Sequence, residues 1–172
     1  VSFGFDIGSA FISYSRVDEI TKKRSEQGSP YVKSSYDDGA IFFRAYAAQK
    51  FDASSIELGL FTANGFSANY TDGGITGKDD HNINGIDAIF GINLLSNIEL
   101  NAGAHYSLID GDDNLIIGNG SHDIKSTNID GSGALIGLTY NFNSFRTRIA
   151  YYGGLGGNSA SYMTILTAGI NF

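Results

Sequence analysis

Tyr162-Met163-Thr164-Ile165-Leu166-Thr167-Ala168-Gly169-Ile170-Asn171-Phe172 closes the chain and decides how the rest is read. By parity Tyr162, Thr164, Leu166, Ala168, Ile170 and Phe172 share one face. Ser161, Thr167, Gly169 and Asn171 take the other, with Met163 and Ile165 as apolar exceptions. Alternation over this length is the mark of a β-strand whose two faces meet different surroundings.

The same two-residue period recurs upstream. Val1, Phe3, Phe5, Ile7 and Phe11 alternate with Ser2, Gly4, Asp6, Gly8 and Ala10 in a first strand, residues 1–15. Ile41, Phe43, Ala45 and Ala47 oppose Arg44, Tyr46 and Lys50 in a second, 39–51, and Ile56, Leu58 and Leu60 oppose Glu57, Gly59 and Phe61 in a third, 56–70. Ile86, Phe90 and Ile92 oppose Asp87, Gly91 and Asn93, and Leu100, Ala102 and Tyr106 oppose Glu99, Asn101, His105 and Ser107. Ile136, Leu138 and Tyr140 oppose Gly137, Thr139 and Asn141, and Phe145, Thr147 and Ile149 oppose Arg146, Arg148 and Ala150. With the closing strand this makes eight. Short turns at 52–55, 96–97 and 143–144 alternate with longer polar stretches at 16–38, 71–82, 109–129 and 153–158.

The 172 residues make one domain, 1–172. The absence of Cys excludes a disulfide framework and thiolate metal sites. A mean hydropathy of -0.08, with no continuous apolar run, excludes a transmembrane helix but not a membrane barrel. A net charge of -7 argues against a nucleic-acid surface. Val1 already begins a strand pattern, so the chain reads as a mature or trimmed form of an exported protein.

Which face is wet separates a soluble cup from a membrane span. A soluble eight-stranded barrel fills its interior with apolar side chains. Here the polar face carries Arg44, Lys50, Glu57, Asp87, Glu99, Arg146 and Arg148 among many glycines. Turned inward, glycines make room for long charged side chains; turned to solvent, strands gain nothing from them. Phe51, Phe142, Phe145 and Phe172 stand near the short turns, and Tyr70, Tyr106, Tyr151 and Tyr162 near the long stretches, the placing of two interfacial aromatic belts. The expected fold is an eight-stranded antiparallel transmembrane β-barrel with four long extracellular loops and three short periplasmic turns.

Thr167-Ala168-Gly169-Ile170-Asn171-Phe172, with Thr167, Gly169, Ile170 and Phe172 as its marked positions, resembles the C-terminal β-signal of bacterial outer-membrane proteins. The chain as a whole resembles the small outer-membrane barrels: the OmpA transmembrane domain, OmpX and the opacity proteins. That resemblance implies a bacterial outer-membrane location, recognition by the barrel-assembly machinery, lipid and lipopolysaccharide as surroundings, and a monomer. It also implies an Arg/Lys–Glu network across the lumen, as in OmpA, acting as a plug or a gate.

Interior charges in a narrow lumen must be paired, since isolated buried charges are very costly. Lys50, Glu57, Glu99, Arg146 and Arg148 lie near the short turns and are expected in one layer, with Arg44 and Asp87 above. His105-Tyr106-Ser107 resembles the His-x-Ser of PagL-type lipid A deacylases, in which His activates Ser. That pattern continues with Asn where this chain has Leu108, and parity turns His105 and Ser107 inward, away from lipid. Asp110-Gly111-Asp112-Asp113-Asn114 has the spaced oxygens of a calcium loop but lacks the completing Glu. Neither a cofactor nor a metal is expected. The leading expectation is a non-enzymatic surface protein with a plugged lumen, whose loops meet a host or surface ligand. The alternatives are a narrow gated channel and a lipid A hydrolase.

Overall fold

In the computed structural model the first and last strands pair with each other, and that pairing closes a barrel. The structure describes residues 1–16, 34–72, 75–117, 120–125, 129–157 and 161–172. Its strands are β1 (Ser2–Arg16), β2 (Ser34–Lys50), β3 (Ser54–Asp72), β4 (Ile75–Leu95), β5 (Ile98–Ile117), β6 (Gly120–Lys125), β7 (Ile129–Phe142), β8 (Phe145–Gly153) and β9 (Tyr162–Asn171). All pairings are antiparallel. β1 meets β2 on one side and β9 on the other, β4 pairs β5, and β5 pairs β7, so eight strands form the wall. β6 adds to the outer end of β5 alone. The closing seam runs from Gly4↔Asn171 to Ser13↔Tyr162, with Phe172 N–H donating to Phe3 O at 2.7 Å beyond it.

Both chain ends lie at the same rim as the short connections 51–53, 96–97 and 143–144. Closure removes every edge in the wall, so the backbone groups there are satisfied without water. The outward side chains are apolar: Leu58 is 62 % exposed, Leu60 65 %, Leu166 60 % and Ile149 52 %. Phe51, Phe142, Phe145 and Phe172 are exposed at the short-turn rim, and Tyr106, Tyr151 and Tyr162 at the opposite one. An apolar exterior on a closed barrel with charged residues inside has hydrocarbon as its solvent.

Several stretches read as loops are strand. Residues 34–38 pair with β1, 75–82 pair with both β3 and β5, and 109–117 belong to β5, so the calcium-like run 110–114 lies on a strand. In the sequence, apolar–polar alternation fades over these stretches, while neighbour pairing keeps the backbone extended. β3 to β6 therefore continue as a sheet past Asn64, and β3 alone adds roughly 25 Å of strand at ~3.3 Å per residue. Of the first long loop, residues 17–33 lie outside the described residues.

Leu58→Arg places a charge on the outer wall of β3. It should cost about 2–4 kcal/mol of unfolding free energy in lipid vesicles. Urea titration of the refolded protein reads this directly, and a loss under about 0.5 kcal/mol would put Leu58 in water rather than lipid.

Candidate functional site: the lumen charge cluster

Inward positions change character along β2, β3 and β8. From the short-turn end upward they run Tyr46, Arg44, Phe42 on β2, Ser55, Glu57, Gly59, Phe61 on β3, and Arg146, Arg148, Ala150, Tyr152 on β8. On these three strands polar and charged residues lie toward the short turns and apolar or aromatic residues above, while β4 and β5 are mixed, with Ile89 below Asp87 and His105 and Ser107 above Glu99. Eight strands enclose a space that side chains can fill, and here charged side chains meet across it.

Glu57 is the hub. Its Oε2 accepts from Arg44 Nη1 at 2.9 Å and Arg148 Nη2 at 2.8 Å, and its Oε1 from Arg146 Nη1 at 2.6 Å. Arg44 is also clamped by Asp87, with Nε donating to Oδ2 at 2.8 Å and Nη2 to Oδ1 at 2.7 Å. Arg146 makes the same fork onto Asp6, Nε to Oδ1 at 2.8 Å and Nη2 to Oδ2 at 2.6 Å. Paired forks of this kind combine charge with fixed geometry. The guanidinium carbons of Arg146 and Arg44 lie 3.9 and 4.8 Å from the centre of the Tyr46 ring, so both arginines pack on its π-face. Three guanidiniums thus face three carboxylates, and Arg44, Arg146, Arg148, Asp6, Glu57 and Asp87 are all buried.

Hydrogen bonds carry the cluster outward. Arg148 Nε donates to Thr139 Oγ1 at 3.0 Å, Thr139 to Asn101 Oδ1 at 2.5 Å, and Asn101 Nδ2 to Glu99 Oε1 at 2.6 Å. Tyr152 OH donates to Asp87 Oδ2 at 2.9 Å, and Tyr46 OH donates to Asn171 Oδ1. Glycines give the room. A Cβ on Gly59 would sit 2.6 Å from both Arg44 Nε and Asp87 Oδ1, and one on Gly169 would strike the Asp6 carboxylate.

Set against the sequence expectation, Arg44, Glu57, Asp87, Arg146 and Arg148 come together, and Asp6 joins them. Asp6 stood on the polar face but outside the expected set, because it is the one acid of β1 and no neighbouring inward charge on that strand marks it. Lys50 departs from the expectation: it is exposed at the mouth of β2, where the strand ends and water reaches its ammonium. Glu99 is buried, but its partner is Asn101 rather than a cation. The upper lumen is largely apolar, beyond the exceptions Met163 and Ile165 and the aromatic Phe61 that parity turns inward. Ile12, Phe42, Phe61, Ile83, Ile109, Met163 and Ile165 fill it, with Phe42 and Phe61 stacked at 5.9 Å and Tyr152 5.4 Å from Phe61. His105 and Ser107 lie in this upper region, both buried. In the terminal strand Thr167 and Gly169 face inward, while Ile170 and Phe172 face out.

Removing the hub leaves three buried guanidiniums with two carboxylates. Glu57→Ala should cost about 3–5 kcal/mol of unfolding free energy. Lys50→Ala, at the wet mouth, should stay within about 0.5 kcal/mol of the parent in the same urea titration. Equal losses for the two would contradict the arrangement.

The amino-acid sequence matches no family model and no curated protein. The fold does have solved counterparts. The attachment invasion locus protein Ail of Yersinia pestis is 12% identical, with 99% of this chain and 98% of that one aligned and a TM-score of 0.61. Ail in complex with the heparin analogue sucrose octasulfate aligns over the same shares at 12% identity and a TM-score of 0.55. Neisserial surface protein A, NspA, is 16% identical over 98% of this chain and 95% of its own, with a TM-score of 0.55. At these identities the likeness is one of fold. Together with the apolar outer wall and the charged interior, it makes this chain a small eight-stranded β-barrel of the bacterial outer-membrane type.

Proposed function

We propose that the chain is a non-enzymatic surface protein of the bacterial outer membrane, acting through the segments beyond its extracellular rim. The observation that carries this reading is the Glu57-centred cluster. It joins β1, β2, β3, β4 and β8 across the lumen through forked ion pairs, and so acts as a permanent plug. With the interior closed, contact with other molecules falls to the outer wall and to what stands above it. Lipid, including lipopolysaccharide, covers the wall. The continued pairing of β3, β4, β5 and β6 beyond Asn64 supports a firm platform for a partner. The terminal residues Thr167, Gly169, Ile170 and Phe172 are proposed to direct barrel assembly.

The chemistry of the partner follows from charge. Ail has been crystallised with a polysulfated sugar, and such a ligand calls for a basic surface. Here Arg44, Arg146 and Arg148 are spent inside the barrel. The stretches 71–82 and 109–129 carry Asp72, Asp79, Asp80, Asp110, Asp112, Asp113 and Asp123 against Lys78 and Lys125. Between residues 16 and 38, basic Arg16, Lys22, Lys23, Arg24 and Lys33 are balanced by Asp18, Glu19, Glu26, Asp37 and Asp38. We therefore read the partner as a neutral or cationic host or surface protein, not a polyanion.

Two measurements check this. The refolded protein should leave a planar bilayer electrically silent, with folding verified by heat-modifiable gel mobility; discrete openings that change in Glu57→Ala would make it a gated channel instead. Titration with sucrose octasulfate at physiological salt should give no saturable heat by calorimetry, and saturable binding would overturn the assignment of partner charge.

A further inference from the structure

The extracellular end of the lumen is closed by the last residue of β8 and the turn that follows it. From Gly153, the last residue of β8, Gly154-Leu155-Gly156 turns inward through a 3-10 turn at Leu155–Gly157, and Leu155 is fully buried in the same apolar cluster as Phe42, Phe61 and Met163. Two side chains of β5 hold this segment. His105 Nε2 donates to Gly153 O at 2.9 Å, and Gly156 N–H donates to Ser107 Oγ at 3.1 Å. The remaining bonds are local, Gly154 N–H and Leu155 N–H both donating to Ser161 O at 2.9 and 3.2 Å.

The backbone here is built for this path. Gly154 and Gly156 have φ of 79° and 58°, the left-handed region that other residues rarely adopt. Gly133 makes the approach possible, since a Cβ there would strike the Gly153 carbonyl and stand 2.6 Å from His105 Nε2. Leu155 shares one buried apolar cluster with Ile12, Phe42, Phe61, Ile83, Ile109 and Met163, and Tyr152 of that cluster is bonded to Asp87 of the charge cluster. Nδ1 of His105 has no hydrogen-bond partner among the described residues, and its ring packs 5.4 Å from Tyr152 and 6.3 Å from Phe61.

We propose that Gly153–Gly156 is a lid over a blind apolar chamber, latched by His105 and Ser107, and that the chamber takes one small uncharged molecule in place of the Leu155 side chain. The geometry sets its class. The walls accept hydrocarbon, the charge layer below is already self-paired and bars passage, and the free Nδ1 of His105 can meet a single hydrogen-bonding group. Leu155 is the removable part because it is carried by a glycine-flanked turn, whereas every other wall residue is fixed in a strand. The proposal does not depend on what the outer segments bind.

The absence of Cys makes the test clean. Met163→Cys puts a unique thiol on the chamber wall and Asn82→Cys puts one outside, and labelling rates are measured on the refolded protein in phosphatidylcholine vesicles. With the lid intact, N-ethylmaleimide should react with Met163→Cys at least about ten-fold more slowly than with Asn82→Cys. Adding His105→Ala and Ser107→Ala should raise the Met163→Cys rate about ten-fold, while a sulfonated methanethiosulfonate remains slow. Cyclohexanol should protect that thiol. His105→Gln, which keeps a donor for Gly153 O, should retain the slow rate. Leu155→Ala, with the latch untouched, should also accelerate labelling, which keeps the test decisive if the double variant fails to fold. An unchanged rate in the latch and Leu155 variants, equal acceleration by both reagents, or no protection by cyclohexanol would each overturn the proposal.

Discussion

A carboxylate shared by three arginines is the constraint on which the structure depends. Inside a narrow barrel, Glu57, Arg44, Arg146 and Arg148 can reach neither bulk water nor lipid headgroups, so each must find its partner across the lumen. This requirement also bears on register. Side chains alternate between faces, so a one-residue slip of β8 would send Arg146 and Arg148 into lipid and Thr147 and Ile149 into the charge cluster. The buried ion pairs are therefore better understood as selecting one register than as a large net source of stability, because the cost of taking charges out of water offsets much of their attraction. The glycines follow from the same demand. Gly59 and Gly169 stand where Arg44, Asp87 and Asp6 need the space that a Cβ would occupy.

The layering of the interior divides the molecule's work. Toward the short turns the lumen is polar and its charges are paired, and above the cluster it is filled mainly with hydrocarbon and rings. The contact between the layers is Tyr152, whose ring packs with Phe42, Phe61 and His105 while its hydroxyl serves Asp87. A through-going aqueous path would need both layers to open at once. The outer wall has no comparable specificity: its residues need only be apolar, which is how chains 12% and 16% identical to this one can share its barrel.

Much of this was legible from alternation. The eight wall strands, the three short turns and the inward facing of Arg44, Glu57, Asp87, Arg146 and Arg148 come directly from a period of two. What was not legible has physical causes. Parity sends Lys50 inward, but parity carries no information about where a strand leaves the barrel, and Lys50 sits at the mouth. Asp6 is a lone acid on β1, and its place in the cluster emerges only when the β1–β9 seam sets it beside Gly169, with Arg146 one strand further on. The apolar upper lumen was hidden because Ile12, Ile83, Met163 and Ile165 break alternation, and breaks in a pattern look like noise until the opposite wall shows what they pack against. The strands beyond Asn64 were missed for the converse reason, since pairing persists there after the two faces become chemically alike.

His105 and Ser107 show how a shared face can outweigh a shared motif. Two residues apart on one strand, they point the same way whatever that strand does, so a His-x-Ser spacing is as good a pair of pegs as it is a base and nucleophile. What separates the roles is which side of the wall they occupy and what comes within reach. Here the side is the lumen, and the groups within reach are the carbonyl of Gly153 and the amide of Gly156. Each peg therefore engages main chain, at a turn where Gly154 and Gly156 take the left-handed φ that favours glycine. The glycines at 154 and 156 follow from that left-handed path, and the two side chains of the motif hold it to β5.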